Sequence, residues 1–106
     1  MTTNYTVIGA GHGGKAMAAH LALMGFRVAL YNRTADHVTV IRKRGGIELE
    51  SSESGPHGFG KMALVTSDLK EALAKAKIIM VVVPSSAHAD VAQKAAPHLK
   101  DGQTVI

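Results

Sequence analysis

The sequence predicts an α/β domain, a doubly wound and mainly parallel sheet with helices on both faces. Three observations predict it. A β-branched run, Val7-Ile8, leads into Gly9-Ala10-Gly11-His12-Gly13-Gly14 and then into an alanine-rich segment with helical spacing. Strand patterns alternate with helical patterns along the chain, the order that builds parallel sheets. Ile78 to Val83 is apolar throughout, as a strand covered on both faces should be.

Composition agrees with one domain over residues 1–106. With 46% apolar but only 4% aromatic residues, the core must be built from Ala, Val, Ile, Leu and Met. The absence of cysteine excludes disulfides and thiolate metal sites and fits a reducing compartment. Met1 to Asn4 runs straight into a strand, with no room for a secretion leader, and no apolar run is long enough to span a bilayer. A cytoplasmic location and no membrane partner are expected. The net charge of +4 invites nucleic acid, yet only Arg42-Lys43-Arg44 cluster and few aromatics are available for base stacking. These cations read as a solvated helix end before Gly45, so no nucleic-acid partner is expected.

In chain order, Tyr5 to Ile8 reads as the first strand and Lys15 to Met24 as the first helix. Met17, Leu21 and Met24 recur at helical spacing, Ala16 and Ala19 keep neighbours close, and Gly25 stops the helix. His20 within it takes no role. Arg27 to Tyr31 is the second strand, followed by a helix from Ala35 to Arg44 with Val38 and Ile41 inward. Ile47 to Glu50 alternates like a half-exposed strand; Ser51 to Gly60, with His57, reads as a loop; Met62 to Val65 is a short strand. An antiparallel excursion fits this stretch. Thr66-Ser67-Asp68 offers helix caps, with Glu71 three residues past Asp68, and a short helix should reach about Lys75. Ile78 to Val83 is the central strand, and Ala87 to Leu99 a helix that Pro97 disturbs in its last turn. Asp101-Gly102 turns into a last strand, Gln103 to Ile106.

Gly9, Gly11 and Gly14 match G-x-G-x-x-G between a strand and a helix, the fingerprint of a Rossmann-type dinucleotide site. Gly9 serves the tight turn, Gly11 the close approach of a pyrophosphate, and Gly14 the packing of helix on strand. The N–H groups from Gly11 through His12 and Gly13 to Gly14 would face the phosphates. NAD sites place an acid at the end of the second strand, for the ribose hydroxyls; here Asn32 and Arg33 stand instead. A guanidinium matches a 2′-phosphate, and Thr34 adds a hydroxyl and an N–H. The missing acid also argues against methyltransferase and flavin folds. At the carboxyl end of the fourth parallel strand, Val83-Pro84-Ser85-Ser86-Ala87-His88 should lie towards the nicotinamide half. Ser85 and Ser86 either bind or cap, and His88 either contacts ligand or faces solvent. The six His and eight acids show no metal-ligand spacing, so no metal site is expected.

Three segments resemble the N-terminal domain of octopine/opine dehydrogenases: Gly9 to Gly14, Ala18 to Gly25, and Val81 to His88. The Gly45-Gly46-Ile47 and Thr66-Ser67-Asp68 junctions resemble it too. The glycine motif is shared with glycerol-3-phosphate dehydrogenase and ketopantoate reductase. Asn32-Arg33-Thr34 is similar to the 2′-phosphate contact of NADP-dependent 6-phosphogluconate and β-hydroxyacid dehydrogenases, whereas some opine dehydrogenases carry an acid there. The resemblance implies NADP as cofactor, with NAD as the alternative, and reductive condensation of an amino acid with a 2-oxo acid. It implies that catalytic residues, and the small-molecule substrate site, belong to a C-terminal helical domain missing here. The chain then reads as the N-terminal part of a two-domain dehydrogenase. The competing readings are a glycerol-3-phosphate or ketopantoate type dehydrogenase domain, a non-catalytic nucleotide sensor and, for the extent of the chain, a complete minimal domain.

Overall fold

The computed structural model describes residues 4–49 and 58–106. Glu50 and the segment 51–57, which includes His57, lie outside the described residues. The strands are β1 (Asn4–Ile8), β2 (Arg27–Tyr31), β3 (Gly46–Leu49), β4 (Gly58–Lys61), β5 (Leu64–Thr66), β6 (Ile78–Val81) and β7 (Thr104–Val105). The helices are α1 (His12–Leu23), α2 (Ala35–Arg44), α3 (Leu69–Leu73) and α4 (His88–Ala95). Five strands form one sheet in the order β5-β2-β1-β6-β7, and every pairing in it is parallel. β3 and β4 form a separate antiparallel pair. This is a Rossmann-like sheet.

Successive residues of β1 point to opposite faces, and each face has its own core. Val7 joins Ala18, Leu21, Val28, Leu30, Val38 and Ile41 beneath α1 and α2. Ile8 joins Leu73, Ala76, Ile79 and Ala95 beneath α3 and α4. The buried Thr6 donates its hydroxyl to the Ala72 carbonyl at 2.6 Å, which ties α3 to the sheet. Asp68 caps α3 as expected, accepting from the N–H groups of Lys70 and Glu71. The Asp68 N–H is served by the Thr66 hydroxyl at 3.0 Å.

Several boundaries differ from the sequence expectation. α1 begins at His12 rather than Lys15, because Gly13 and Gly14 enter its first turn. Of the three large apolar residues expected inward only Leu21 is buried; Ala18 and Ala19 are fully buried beside it, while Met17 and Met24 are exposed. Steric room explains this. β4, expected as part of a loop, crosses α1 so closely that a Cβ on Gly60 would lie 2.8 Å from the Ala19 backbone. Gly60 thus serves close approach rather than a turn, while Gly58 supplies a φ of +137° at the start of the strand. β6 pairs only to Val81, after which Val82 still donates to the Ile8 carbonyl at 2.9 Å. The last helix is broken into α4 and short 3₁₀ turns at Ser85–Ala87 and Ala96–His98, the second containing Pro97. Arg42 is not merely a solvated helix end. Its Nε and Nη2 both donate to the Val65 carbonyl, at 3.1 and 2.7 Å, pinning α2 to β5.

Candidate functional site

The carboxyl ends of β1, β2 and β6 open into a cleft of about 290 Å³. It lies where the chain order reverses about β1, the place at which open α/β sheets bind ligands. A larger hollow of about 670 Å³ lies at the opposite edge of the sheet, near Asn4, Arg27, Glu71 and Lys75. It faces the amino ends of the strands and is remote from the glycine turn.

Gly9 leaves β1 with φ +115°, donating its N–H to the Tyr31 carbonyl at 2.8 Å. A Cβ there would strike the Val82 carbonyl oxygen, and a Cβ on Gly14 would strike the carbonyl oxygen of Gly9. Both glycines are required by the packing of α1 and β6 on the turn. Gly11 differs: its φ is −73°, open to any residue, and a Cβ would meet nothing within 4 Å. It caps α1 at the cleft wall. The first helical hydrogen bond runs from the Lys15 N–H to the Gly11 carbonyl at 2.9 Å, so the N–H groups of residues 12–14 have no intrahelical partner. Open space, unpaired donors and a positive dipole end meet at one wall, which fits an anionic phosphate group.

The structure brings Gly9, Gly11, Asn32, Arg33, Thr34, Val83 and Pro84 to this one cleft. Gly13 and Gly14 sit in the first turn of α1 and do not line it. The side chains of His12 and Ser85 lie outside the described residues. The Asn32 side chain is committed to the protein: Oδ1 accepts the Ala10 N–H at 3.1 Å and Nδ2 donates to the Thr34 carbonyl at 3.4 Å. Thr34 occupies the cap position of α2 without a side-chain capping bond, and its hydroxyl has no hydrogen-bond partner among the described residues. The His88 ring, outside the cleft, meets the Val83 carbonyl through Nε2 at 3.1 Å, so it steadies the Val83–Pro84 turn.

Sequence reasoning missed Asp90 and Lys94 of α4, which line the cleft beside Arg33. Asp90 Oδ2 lies 4.0 Å from Arg33 Nη1 and 3.2 Å from Lys94 Nζ. The i,i+4 spacing of Asp90 and Lys94 was visible; that α4 carries them to the end of β2 depends on the sheet order. Among the described residues no three of His, Asp and Glu come together as a metal site, and no helix is long and apolar enough to cross a membrane.

Fold and cleft together define a Rossmann-class, dinucleotide-binding domain. The chain belongs to the family described as the NAD-dependent glycerol-3-phosphate dehydrogenase N-terminus, whose model matches residues 4–106. It is 38% identical over 102 residues to an opine dehydrogenase of Arthrobacter sp. (strain 1C), covering 96% of this chain and 28% of that protein. It is 30% identical over 105 residues to a glycerol-3-phosphate dehydrogenase [NAD(P)+] of Photorhabdus laumondii, covering 99% of this chain and 30% of that protein. A solved octopine dehydrogenase, with NADH and L-arginine, superposes with a TM-score of 0.83 at 21% identity, over 98% of this chain and 28% of that one. That likeness is one of fold. The chain thus spans about 28–30% of the length of these relatives.

Proposed function

We propose that this domain binds NADP(H) in preference to NAD(H), as the cofactor-binding part of an opine-type dehydrogenase. The observation that carries the dinucleotide reading is Gly11, whose lack of a side chain no contact among the described residues explains and which opens onto the cleft. The N–H groups of residues 12–14 would receive the pyrophosphate. Gly9 and Gly14 would hold the turn that aims them. Arg33, with the Thr34 hydroxyl, would hold the adenosine 2′-phosphate, and Asn32 would fix the strand end from which Arg33 projects. Val83, Pro84, Ser85 and the His88 that steadies them would border the nicotinamide half. The bound nicotinamide supplies a hydride; the chain binds and orients it.

The opine assignment rests on the Arthrobacter relative. With it goes reductive condensation of an amino acid with a 2-oxo acid, the substrate being held by a further helical domain outside the 28% of that relative which this chain matches. A glycerol-3-phosphate-type reaction is the second reading, favoured by the family model. The cytoplasm is the proposed location. The 106-residue chain is expected to bind cofactor without turnover. Steady NADPH oxidation with any amino acid and 2-oxo acid pair would place catalytic groups in this domain.

Fluorescence titration with NADPH and NADH tests the cofactor reading. The Arg33 side chain is 77% exposed and faces Asp90, so the 2′-phosphate should gain about tenfold in affinity at low salt. The preference should shrink as salt is added. Arg33→Ala should remove it while leaving NADH binding intact. Equal binding of the two cofactors by the wild type, or equal weakening of both by Arg33→Ala, would leave Arg33 a surface residue.

A further inference from the structure

We infer that Lys94 is a second cation for the dinucleotide 2′-phosphate and that Asp90 is an internal competitor for the same place. The inference rests on the dinucleotide reading above and extends it to α4. One carboxylate oxygen, Asp90 Oδ2, lies between the two cations, paired with Lys94 Nζ at 3.2 Å and with Arg33 Nη1 at a looser 4.0 Å, beyond hydrogen-bond reach. The two cations come from the end of β2 and from α4, and all three residues line the cleft. An oxygen shared by a guanidinium and an ammonium is the arrangement that a phosphate oxygen accepts.

Charge decides whether such a place attracts phosphate. Arg33 opposed by Asp90 alone presents no net charge. Adding Lys94 leaves the cluster with one positive charge, and displacing the carboxylate exposes two cations to a phosphate that carries up to two negative charges. Lys94 is therefore what makes the site attractive to a 2′-phosphate. A ribose with a free 2′-hydroxyl offers no anion, so Asp90 keeps both cations and NADH gains nothing. All three side chains are between 46% and 77% exposed, which keeps each effect modest.

The test is titration of NADPH and NADH into wild type, Lys94→Gln and Asp90→Asn at low and high salt. Lys94→Gln should weaken NADPH about threefold to fivefold and leave NADH unchanged. Asp90→Asn should tighten NADPH by a similar factor, again without effect on NADH. Both changes should fade with salt. NADPH binding unchanged in Lys94→Gln would overturn the proposal. So would a weaker NADH complex in Asp90→Asn, which would make Asp90 an acceptor for ribose hydroxyls. Neither result touches the dinucleotide reading. Wild type that binds neither cofactor would overturn both.

Discussion

Around the glycine turn, Gly9, Gly14, Ala10 and Asn32 meet through backbone atoms and one buried-edge hydrogen bond. At the far end of the same cleft, Arg33, Asp90 and Lys94 meet only through exposed side chains. The first end has almost no freedom, because α1, β2 and β6 all press on it. The second can rearrange without moving the sheet. That difference matches the ligand proposed for the cleft. A pyrophosphate is common to both pyridine dinucleotides and can be served by fixed backbone; a 2′-phosphate distinguishes them and is served by side chains. Substitutions at the turn should therefore change stability or affinity for both cofactors, and substitutions at the outer end should change selectivity alone.

The largest effect should come from Gly14→Ala. The new methyl group would strike the Gly9 carbonyl oxygen and lie 2.8 Å from its carbon, backbone atoms that cannot swing aside as a side chain would. A loss of about 3 kcal/mol or more is expected from such overpacking. Urea denaturation measures it, and a wild-type midpoint would show that α1 slides freely on the turn.

Gly11→Val probes the same turn with the opposite expectation. The residue has an ordinary φ and open space, so stability should stay within about 1 kcal/mol of wild type. Binding should weaken by about 2 kcal/mol, the worth of a charge-assisted hydrogen bond to phosphate, and equally for NADPH and NADH. Calorimetric titration with both cofactors decides this. Selective loss of one would mean that the turn and the outer end are not separable.

The fold was legible because the glycine fingerprint, the cap at Asp68 and the apolar run at Ile78 each carry a local signal. β4 was not, since Gly58 and Gly60 read as loop formers until α1 is seen to lie against them. The inward face of α1 was misjudged for a related reason. Hydrophobicity favours Met17, Leu21 and Met24, but of these only Leu21 is buried; Ala18 and Ala19 fill the rest of the inward face. At the cleft, Arg33 could be placed from its distance after the glycines. Asp90 and Lys94 could not, because their meeting with Arg33 needs the sheet order β2-β1-β6 and α4 packed against it. Asn32 looked like a ligand contact because it neighbours Arg33; its side chain instead serves Ala10.

Asn32 joins the two ends and gives the smallest but most discriminating test. Its Oδ1 accepts the part-buried Ala10 N–H, and the next residue is Arg33. Asn32→Leu removes the acceptor and leaves that donor unpaired, which should cost about 1 kcal/mol of stability and weaken both cofactors alike. Asn32→Asp keeps an acceptor oxygen towards Ala10 while placing a negative charge beside the 2′-phosphate subsite. Its stability should be close to wild type, and NADPH alone should weaken by about threefold at low salt, an effect the size of an exposed charge pair. Urea melts and paired fluorescence titrations on both variants separate the two roles. If Asp and Leu weaken NADPH and NADH to the same degree, Asn32 acts only as a latch and its charge is not felt at the outer end. If Asp shifts selectivity while Leu does not, the latch belongs to the rigid turn and the field at position 32 belongs to the selective end.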